Sequence, residues 1–204
     1  MQCAPTGILN FIRTICNELS STICGTVMYY THELCVEKLE CAAALLKKQM
    51  KQSGLAAHEH KNWLTSVHQY PPKPSVPEVF TLHVFRPNWF NEDRQGIHFE
   101  TFLGPKEWKK KQVQIAMHIF HVEHVPGTSV KRRAIAVPFV DEIYDVVSSW
   151  DGCKFRTGKY GAHPFTKILS FEYEEFEVQL SEELLRLCLE LGPKMDRTLK
   201  SVLT

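Results

Sequence analysis

The stretch of sequence that decides the fold runs from Gly96 to His124 and reads GIHFETFLGPKEWKKKQVQIAMHIFHVEH. Its two ends alternate apolar and polar residues with a period of two. This pattern predicts two β-strands, Gly96–Leu103 and Gln112 to about Val122. The short lysine-rich segment between them predicts a connecting loop. We therefore expect an antiparallel hairpin at the centre of the molecule.

The apolar residues of this hairpin predict how its two strands pair. Both apolar faces enter one core if Phe99 lies opposite Met117, because a shift of one residue would turn one strand's face to the other side. That pairing places His98 opposite His118 on the other face of the hairpin. A slip of two residues along either strand keeps the faces but changes the neighbours, so the lateral alignment stays open.

A third strand brings another histidine to this face. The stretch Val79–Arg86 also alternates, and its apolar residues put His83 on the face that carries His98. Neutral imidazoles from neighbouring strands are good ligands for a divalent metal such as zinc, and three of them leave one position open for water. We therefore predict a metal site at His83, His98 and His118.

Glu100 follows on the same strand face, two residues after His98. Its carboxylate can be a fourth metal ligand, a hydrogen-bond partner that orients an imidazole, or a general base. We assign Glu100 the catalytic role of base. The competing interpretation is an ordinary solvated sheet face, on which His, Glu and Gln are common.

The remaining sequence predicts an α+β protein. In region 1–70, apolar residues recur every three or four positions on both sides of Gly25, which indicates an N-terminal helical pair. Prolines crowd the segment 71–78 and predict a stiff linker. Region 79–204 is predicted to be a sheet domain of about five mainly antiparallel strands, with C-terminal helices packed on one face.

Four finer predictions concern single elements. A short helix is expected over His58–Tyr70, because Trp63, Leu64 and Val67 have helical spacing. A fourth strand is expected over Lys131–Val137, followed by a helix that Asp141 caps. Ser181 is expected to cap a C-terminal helix, and Gly192-Pro193 to stop or kink it.

Composition narrows the class of protein. The net charge of +1 argues against a general nucleic-acid or membrane-surface binder. The seven cysteines are odd in number and form no C-x-x-C pair, which indicates free thiols in a reducing compartment. We see no signal peptide and no membrane-spanning segment, so the expected location is the cytoplasm.

Three further groups of residues are candidates for ligand binding. Lys154, Arg156, Lys159 and His163 lie in a glycine-bearing loop that could hold an anion.

Two tryptophans complete these candidates. Trp89 lies in an aromatic loop that either covers the histidine face or plugs an edge of the core. Trp108 stands among the lysines of the hairpin loop, which leaves contact with single-stranded nucleic acid open as an alternative.

Two functions from different classes remain open at this point. The sequence lacks the G-x-S-x-G, Walker, G-x-G-x-x-G and H-E-x-x-H signatures. The first hypothesis is a binding protein that recognises a small-molecule or protein ligand on its sheet face and forms a homodimer through its N-terminal helices. The alternative is a metal-dependent hydrolase that uses the histidine row.

Overall fold

The computed structural model describes residues 29–54, 61–74, 77–92, 95–155 and 162–204. The first helix of the predicted N-terminal pair falls on residues 1–28 and so lies outside the described residues. The second helix of that pair is present. It begins after Thr31, whose hydroxyl accepts a hydrogen bond from the backbone N–H of Leu34 at 3.1 Å and so caps the helix.

The described chain contains both helices and strands. The helices are α1 (His32–Gln52), the short α2 (Pro105–Lys110), α3 (Arg132–Val147) and α4 (Phe176–Leu203), with a 3₁₀ turn at Pro87–Trp89. The strands are β1 (Leu64–Tyr70), β2 (Val79–Phe85), β3 (Ile97–Leu103), β4 (Gln112–Ile119), β5 (Cys153–Phe155) and β6 (Phe165–Ser170). Nothing helical in these segments combines the length and the apolar character that a membrane span requires.

The strands form one antiparallel sheet in the order β1-β2-β3-β4-β6-β5. The predicted α+β class is confirmed, and so are the three central strands. β2, β3 and β4 lie next to one another, as their shared apolar pattern requires. Their positions therefore bring the faces predicted to carry histidines side by side.

The core lies on the face of the sheet that the helices cover. Helices α1 and α4 pack against each other, and α1 also packs on β1 and β2. The apolar stripe of α1 is buried there through Leu39, Leu46 and Met50. Because this stripe is covered by the protein's own chain, it offers no support for dimerisation. Dimerisation through the N-terminal helices therefore stays a prediction.

The predicted helix over His58–Tyr70 is wrong over Leu64–Tyr70. Leu64–Tyr70 is strand β1, and it pairs with β2 along its whole length, from Leu64 opposite Phe85 to Tyr70 opposite Val79. Short apolar patterns are ambiguous between helix and strand, and here pairing with a neighbour decides. The proline-rich segment thus joins two paired strands.

The predicted strand over Lys131–Val137 is also wrong. Helix α3 starts at Arg132, so Asp141 lies inside it instead of capping a later helix. The buried positions of α3 include Ile135, Phe139 and Ile143, which step by four residues. This helical period extends over four turns and outweighs the short alternation at its start.

Helix α4 begins earlier than predicted and continues as one helix through Gly192 and Pro193. Ser181 lies within it and donates its hydroxyl to the carbonyl of Val178 at 2.9 Å, so it does not cap the helix. Gly192 and Pro193 are also internal. A Cβ on Gly192 would lie 2.6 Å from the ring of Trp63. The glycine therefore permits close packing between α4 and the start of β1, instead of stopping the helix.

Candidate metal centre

The predicted pairing of the central hairpin is confirmed residue by residue. Phe99 lies opposite Met117, and His98 lies opposite His118. His83 lies opposite Glu100, which makes it a diagonal neighbour of His98. The His98 ring centroid is 4.0 Å from that of His83 and 4.5 Å from that of His118. The three imidazoles therefore form the expected row across β2, β3 and β4.

The closest set of potential metal ligands in this row includes the carboxylate. One donor atom from each of His83, His98 and Glu100 lies within 4.8 Å of the others, and all three side chains are buried. The Oε2 atom of Glu100 is 3.4 Å from Nε2 of His98 and 3.7 Å from Nε2 of His83. The geometry thus places Glu100 among the donors, with His118 beside the group.

The loop before β3 orients His98. Asn91 is buried, and its side-chain oxygen lies 2.7 Å from Nδ1 of His98. An amide oxygen only accepts hydrogen bonds, so Nδ1 of His98 carries the proton. The other ring nitrogen, Nε2, is then the one that faces Glu100. An outer partner of this kind typically orients a metal-binding imidazole.

Trp89 holds this loop in place from the core side. It is buried, and its ring packs edge-on against Trp63 and Phe99. Its indole N–H donates to Oδ1 of Asp196 on α4 at 2.7 Å. Trp89 therefore plugs the core, which is one of the two predicted alternatives. Its side chain packs on the sheet face opposite the histidines. Trp89 is therefore not positioned to contact a ligand bound on the histidine face.

The start of β3 orients His118 in the same way. Nδ1 of His118 donates to the backbone oxygen of Gly96 at 2.8 Å, which leaves Nε2 as the lone-pair atom. This Nε2 is buried and finds no hydrogen-bond partner among the described residues. Gly96 is required at this point, because a Cβ on it would lie 1.8 Å from the carbonyl oxygen of Phe90.

His163 enters the site from the loop before β6. The backbone N–H of Ile119 donates to the carbonyl of Ala162 at 2.7 Å, which ties this loop to the end of β4. Nε2 of His163 then lies 2.5 Å from Oε1 of Glu100. The sequence predicted His163 as part of an anion-binding loop, and the structure places it against the carboxylate.

Of the other residues of that predicted anion loop, the structure describes Lys154 alone. Lys154 lies on β5 with an exposed side chain. Arg156 and Lys159 fall in segment 156–161, outside the described residues. The predicted ligand role of these three residues therefore stays a prediction.

His121 also reaches the site, although by the alternation of faces along β4 it would lie on the apolar side with Ile119. Strand β4 ends at Ile119, and Phe120 has a left-handed backbone with φ of 46°. This bend breaks the alternation of faces, so the ring of His121 lies 4.2 Å from that of His118. A left-handed phenylalanine is uncommon, and no signal in the sequence predicted it.

Burial sets the charge of these groups. Burial, with the neighbouring His98 adding to it, lowers the pKa of His83 to about 2. The same two causes lower the pKa of His118 to about 3. Burial alone would raise the pKa of Glu100, but the His163 and His98 rings beside its oxygens outweigh burial and hold that pKa below its usual range.

At neutral pH the imidazoles of His83 and His118 are therefore neutral, and the Glu100 carboxylate is ionised. These are the protonation states in which His and Glu bind a divalent cation. Both ring nitrogens of His83 lack hydrogen-bond partners within the described chain. A buried polar group without a partner costs about 1–3 kcal/mol, a cost that a bound water or a ligand would offset.

Trp108 lies in the connection between β3 and β4, as predicted, but this connection is helical and the indole is buried. Its segment forms helix α2, and the indole is only 3% exposed. The ring packs against Phe171, Tyr173 and Phe176. Because bases stack on exposed aromatic faces, the buried ring of Trp108 is not a surface for single-stranded nucleic acid.

Comparison with known proteins leaves the site to be interpreted from its own geometry. No family model, curated protein or solved structure matches this chain.

Proposed function

We propose that the protein binds a divalent transition-metal ion through Nε2 of His83, Nε2 of His98 and the Glu100 carboxylate. The observation that carries the proposal is the convergence of these three buried donors within 4.8 Å. Supporting it, Asn91 holds the Nδ1 atom of His98, so the ring is oriented with Nε2 towards the carboxylate. Zinc suits such a mixture of imidazole and carboxylate ligands.

The reaction that such a centre supports best is hydrolysis. A bound zinc ion lowers the pKa of a coordinated water to about 7, which supplies hydroxide at neutral pH. His163 borders the carboxylate and is 26% exposed, so this side of the site is the one closest to solvent. A substrate would approach from the His163 side, while the sheet holds the ligands rigid from below.

A non-haem iron centre is the second candidate. His83, His98 and Glu100 make up a set of two histidines and one carboxylate. Sites of this composition with open positions are typical of iron(II) oxygenases. The identity of the bound metal separates the two candidates, because zinc favours hydrolysis and iron(II) favours chemistry with oxygen.

Metal analysis of the protein purified without added metal tests the proposal. We expect about one equivalent of metal or more per chain in the wild type and a loss of at least tenfold in metal affinity in His98→Gln. His32→Gln is the matched control, because His32 is exposed on α1 and pairs with Glu78. Equal metal content in the two variants would refute the site, as would a wild type that binds no zinc, manganese or iron(II).

We also place the protein in the cytoplasm. The described cysteines Cys35, Cys153 and Cys188 are free thiols, and Cys35 and Cys188 are buried. Free thiols are the normal state in a reducing compartment. Fractionation of cells that express the full chain, with detection by antibody, checks this location.

A further inference from the structure

The two oxygens of the Glu100 carboxylate have different neighbours. Oε2 lies 3.4 Å from Nε2 of His98 and 3.7 Å from Nε2 of His83, the two imidazoles of the proposed metal site. Oε1 lies 2.5 Å from Nε2 of His163. At that distance a proton lies between the two atoms, since two bare acceptor atoms would repel each other. Oε1 is therefore engaged by His163, while Oε2 is the oxygen next to the strand histidines.

The chain fixes His163 in this place from both sides. On one side the backbone N–H of Ile119 donates to the carbonyl of Ala162 at 2.7 Å. On the other side Pro164 disfavours a helical backbone at His163, and β6 begins at Phe165, paired with β4. The ring of His163 is thus held against the carboxylate by the frame of the sheet, although it is 26% exposed.

The contact with His163 limits how the Glu100 carboxylate can bind an ion. A carboxylate binds a metal through one oxygen or through both. Binding through both requires that both oxygens turn towards the ion. In Glu100 such a turn would take Oε1 away from His163 and give up their contact in a place where the carboxylate is only 5% exposed. Losing a polar partner at a buried position is unfavourable.

We propose that His163 is a positioning residue that restricts Glu100 to metal coordination through Oε2 alone. The inference rests on the proposed function, in which His83, His98 and Glu100 bind the metal. Three single-atom ligands leave the fourth position of a tetrahedral ion open for water, which is the arrangement of catalytic zinc sites. Coordination through both oxygens would fill that position or add a fifth ligand. His163 thereby acts on the reaction through the carboxylate, without touching the metal.

The visible absorption spectrum of bound Co²⁺ tests this role, because it reports the number and the geometry of the ligands. Metal-stripped full-length protein is titrated with Co²⁺ in place of zinc. We expect the intense absorption of a four-coordinate ion in the wild type. His163→Phe keeps an aromatic ring but removes the N–H. Oε1 is then released to the metal, so the coordination number rises and the absorption should lose intensity.

Two further variants separate the loss of the N–H from a general effect of substitution. His163→Gln keeps a side-chain N–H donor at a similar distance from the backbone and should retain the wild-type spectrum. His124→Phe replaces an exposed histidine in the loop after β4 and should retain it as well. If His163→Phe fails to fold by circular dichroism, His163→Leu takes its place, with the same expected loss of intensity.

The outcomes separate this inference from the proposed function. If the wild type binds Co²⁺ and His163→Phe keeps the wild-type spectrum, the positioning role is overturned and the metal site stands. A loss of intensity in His163→Gln equal to that in His163→Phe would also overturn the role, because the N–H donor would then not matter. A wild type that binds no Co²⁺ overturns both.

Discussion

The two faces of strands β2, β3 and β4 are equally buried but differ in chemistry. The helix side carries apolar side chains that pack into the core: Leu82, Val84, Phe99, Met117 and Ile119. The other side carries ionisable side chains: His83, His98, Glu100 and His118. On the first face burial itself is favourable, and on the second it is a cost that hydrogen bonds only partly offset.

This difference indicates that stability and function are separated across one sheet. Each large apolar side chain on the helix side contributes about 1.5–3 kcal/mol by leaving water. The histidine face leaves Nε2 of His118 and both nitrogens of His83 without partners among the described residues. Unpaired buried groups of this kind often mark a site that a ligand completes.

Replacing one residue on each face tests most directly whether the two faces contribute differently to the free energy of unfolding. Phe99→Ala should lower the free energy of unfolding by about 3–5 kcal/mol, because it removes contacts and leaves a cavity. His83→Leu should leave the metal-free protein unchanged or more stable, since it replaces an unpartnered polar group by an apolar one of similar size. Urea unfolding of both variants without metal checks this.

The control for this pair is Phe99→Leu, which keeps much of the buried volume and should cost less than Phe99→Ala. A loss of several kcal/mol in His83→Leu without metal would contradict the separation of the two faces. It would mean that His83 supports the fold and is not chiefly a ligand.

Acidification should destabilise the metal-free protein through the histidine face alone. Burial lowers the folded-state pKa of His83 to about 2 and of His118 to about 3. Between pH 6.5 and those values the unfolded chain therefore binds protons that the folded chain refuses, so stability falls as pH falls below about 6.5. The expected slope is about 1.4 kcal/mol per pH unit for each such histidine.

Urea unfolding at pH 7.5, 6.5, 5.5 and 4.5 measures this slope. The double variant His83→Gln, His118→Gln should show a shallower dependence over the same range. Glu100 adds its own loss only below about pH 4.5, because its pKa is depressed from there. An identical slope in wild type and double variant would show that these histidines titrate normally in the folded protein.

The smallest expected effect is on metal affinity, and it tests whether the loop before β3 orients His98. Asn91→Ala removes the partner of Nδ1 and should weaken metal binding about 10–100-fold. Asn88→Ala is the matched control in the same loop, because Asn88 is exposed and contacts Asp196 at 3.3 Å. Competition titration with a metal indicator gives both affinities. Equal affinities in the two variants would contradict an orienting role for Asn91.

Part of the site could be predicted because it depends on the alternation of faces along strands. The pairing of His98 with His118 followed from the requirement that Phe99 and Met117 share one core. The position of His83 on the same face followed from the same alternation along the neighbouring strand β2. These residues lie within regular strands, where the identity of a few apolar neighbours decides the direction of every side chain.

The loop contributions could not be predicted, because no repeating pattern relates them to the strands. The loop of Asn91 is held in place by the buried Trp89. His121 turns towards the site because Phe120 has a left-handed backbone, and the loop of His163 is held by a backbone hydrogen bond to β4. Each of these depends on contacts between residues distant in the chain. Short segments such as β1 and the start of α3 were misassigned for the same reason.

The sequence by itself determined the α+β class, the central strands, and that His83, His98 and His118 share one face of them; the structure selected the register among those that keep these faces. The class, the strands and the shared face follow from local periodicity and from the need to bury one face. Only the tertiary structure decided that this row is buried, that Glu100 stands among its donors, and that His163 and His121 close it from loops. Burial and loop placement depend on which distant segments pack together, and that packing sets the charge and the chemistry of the site.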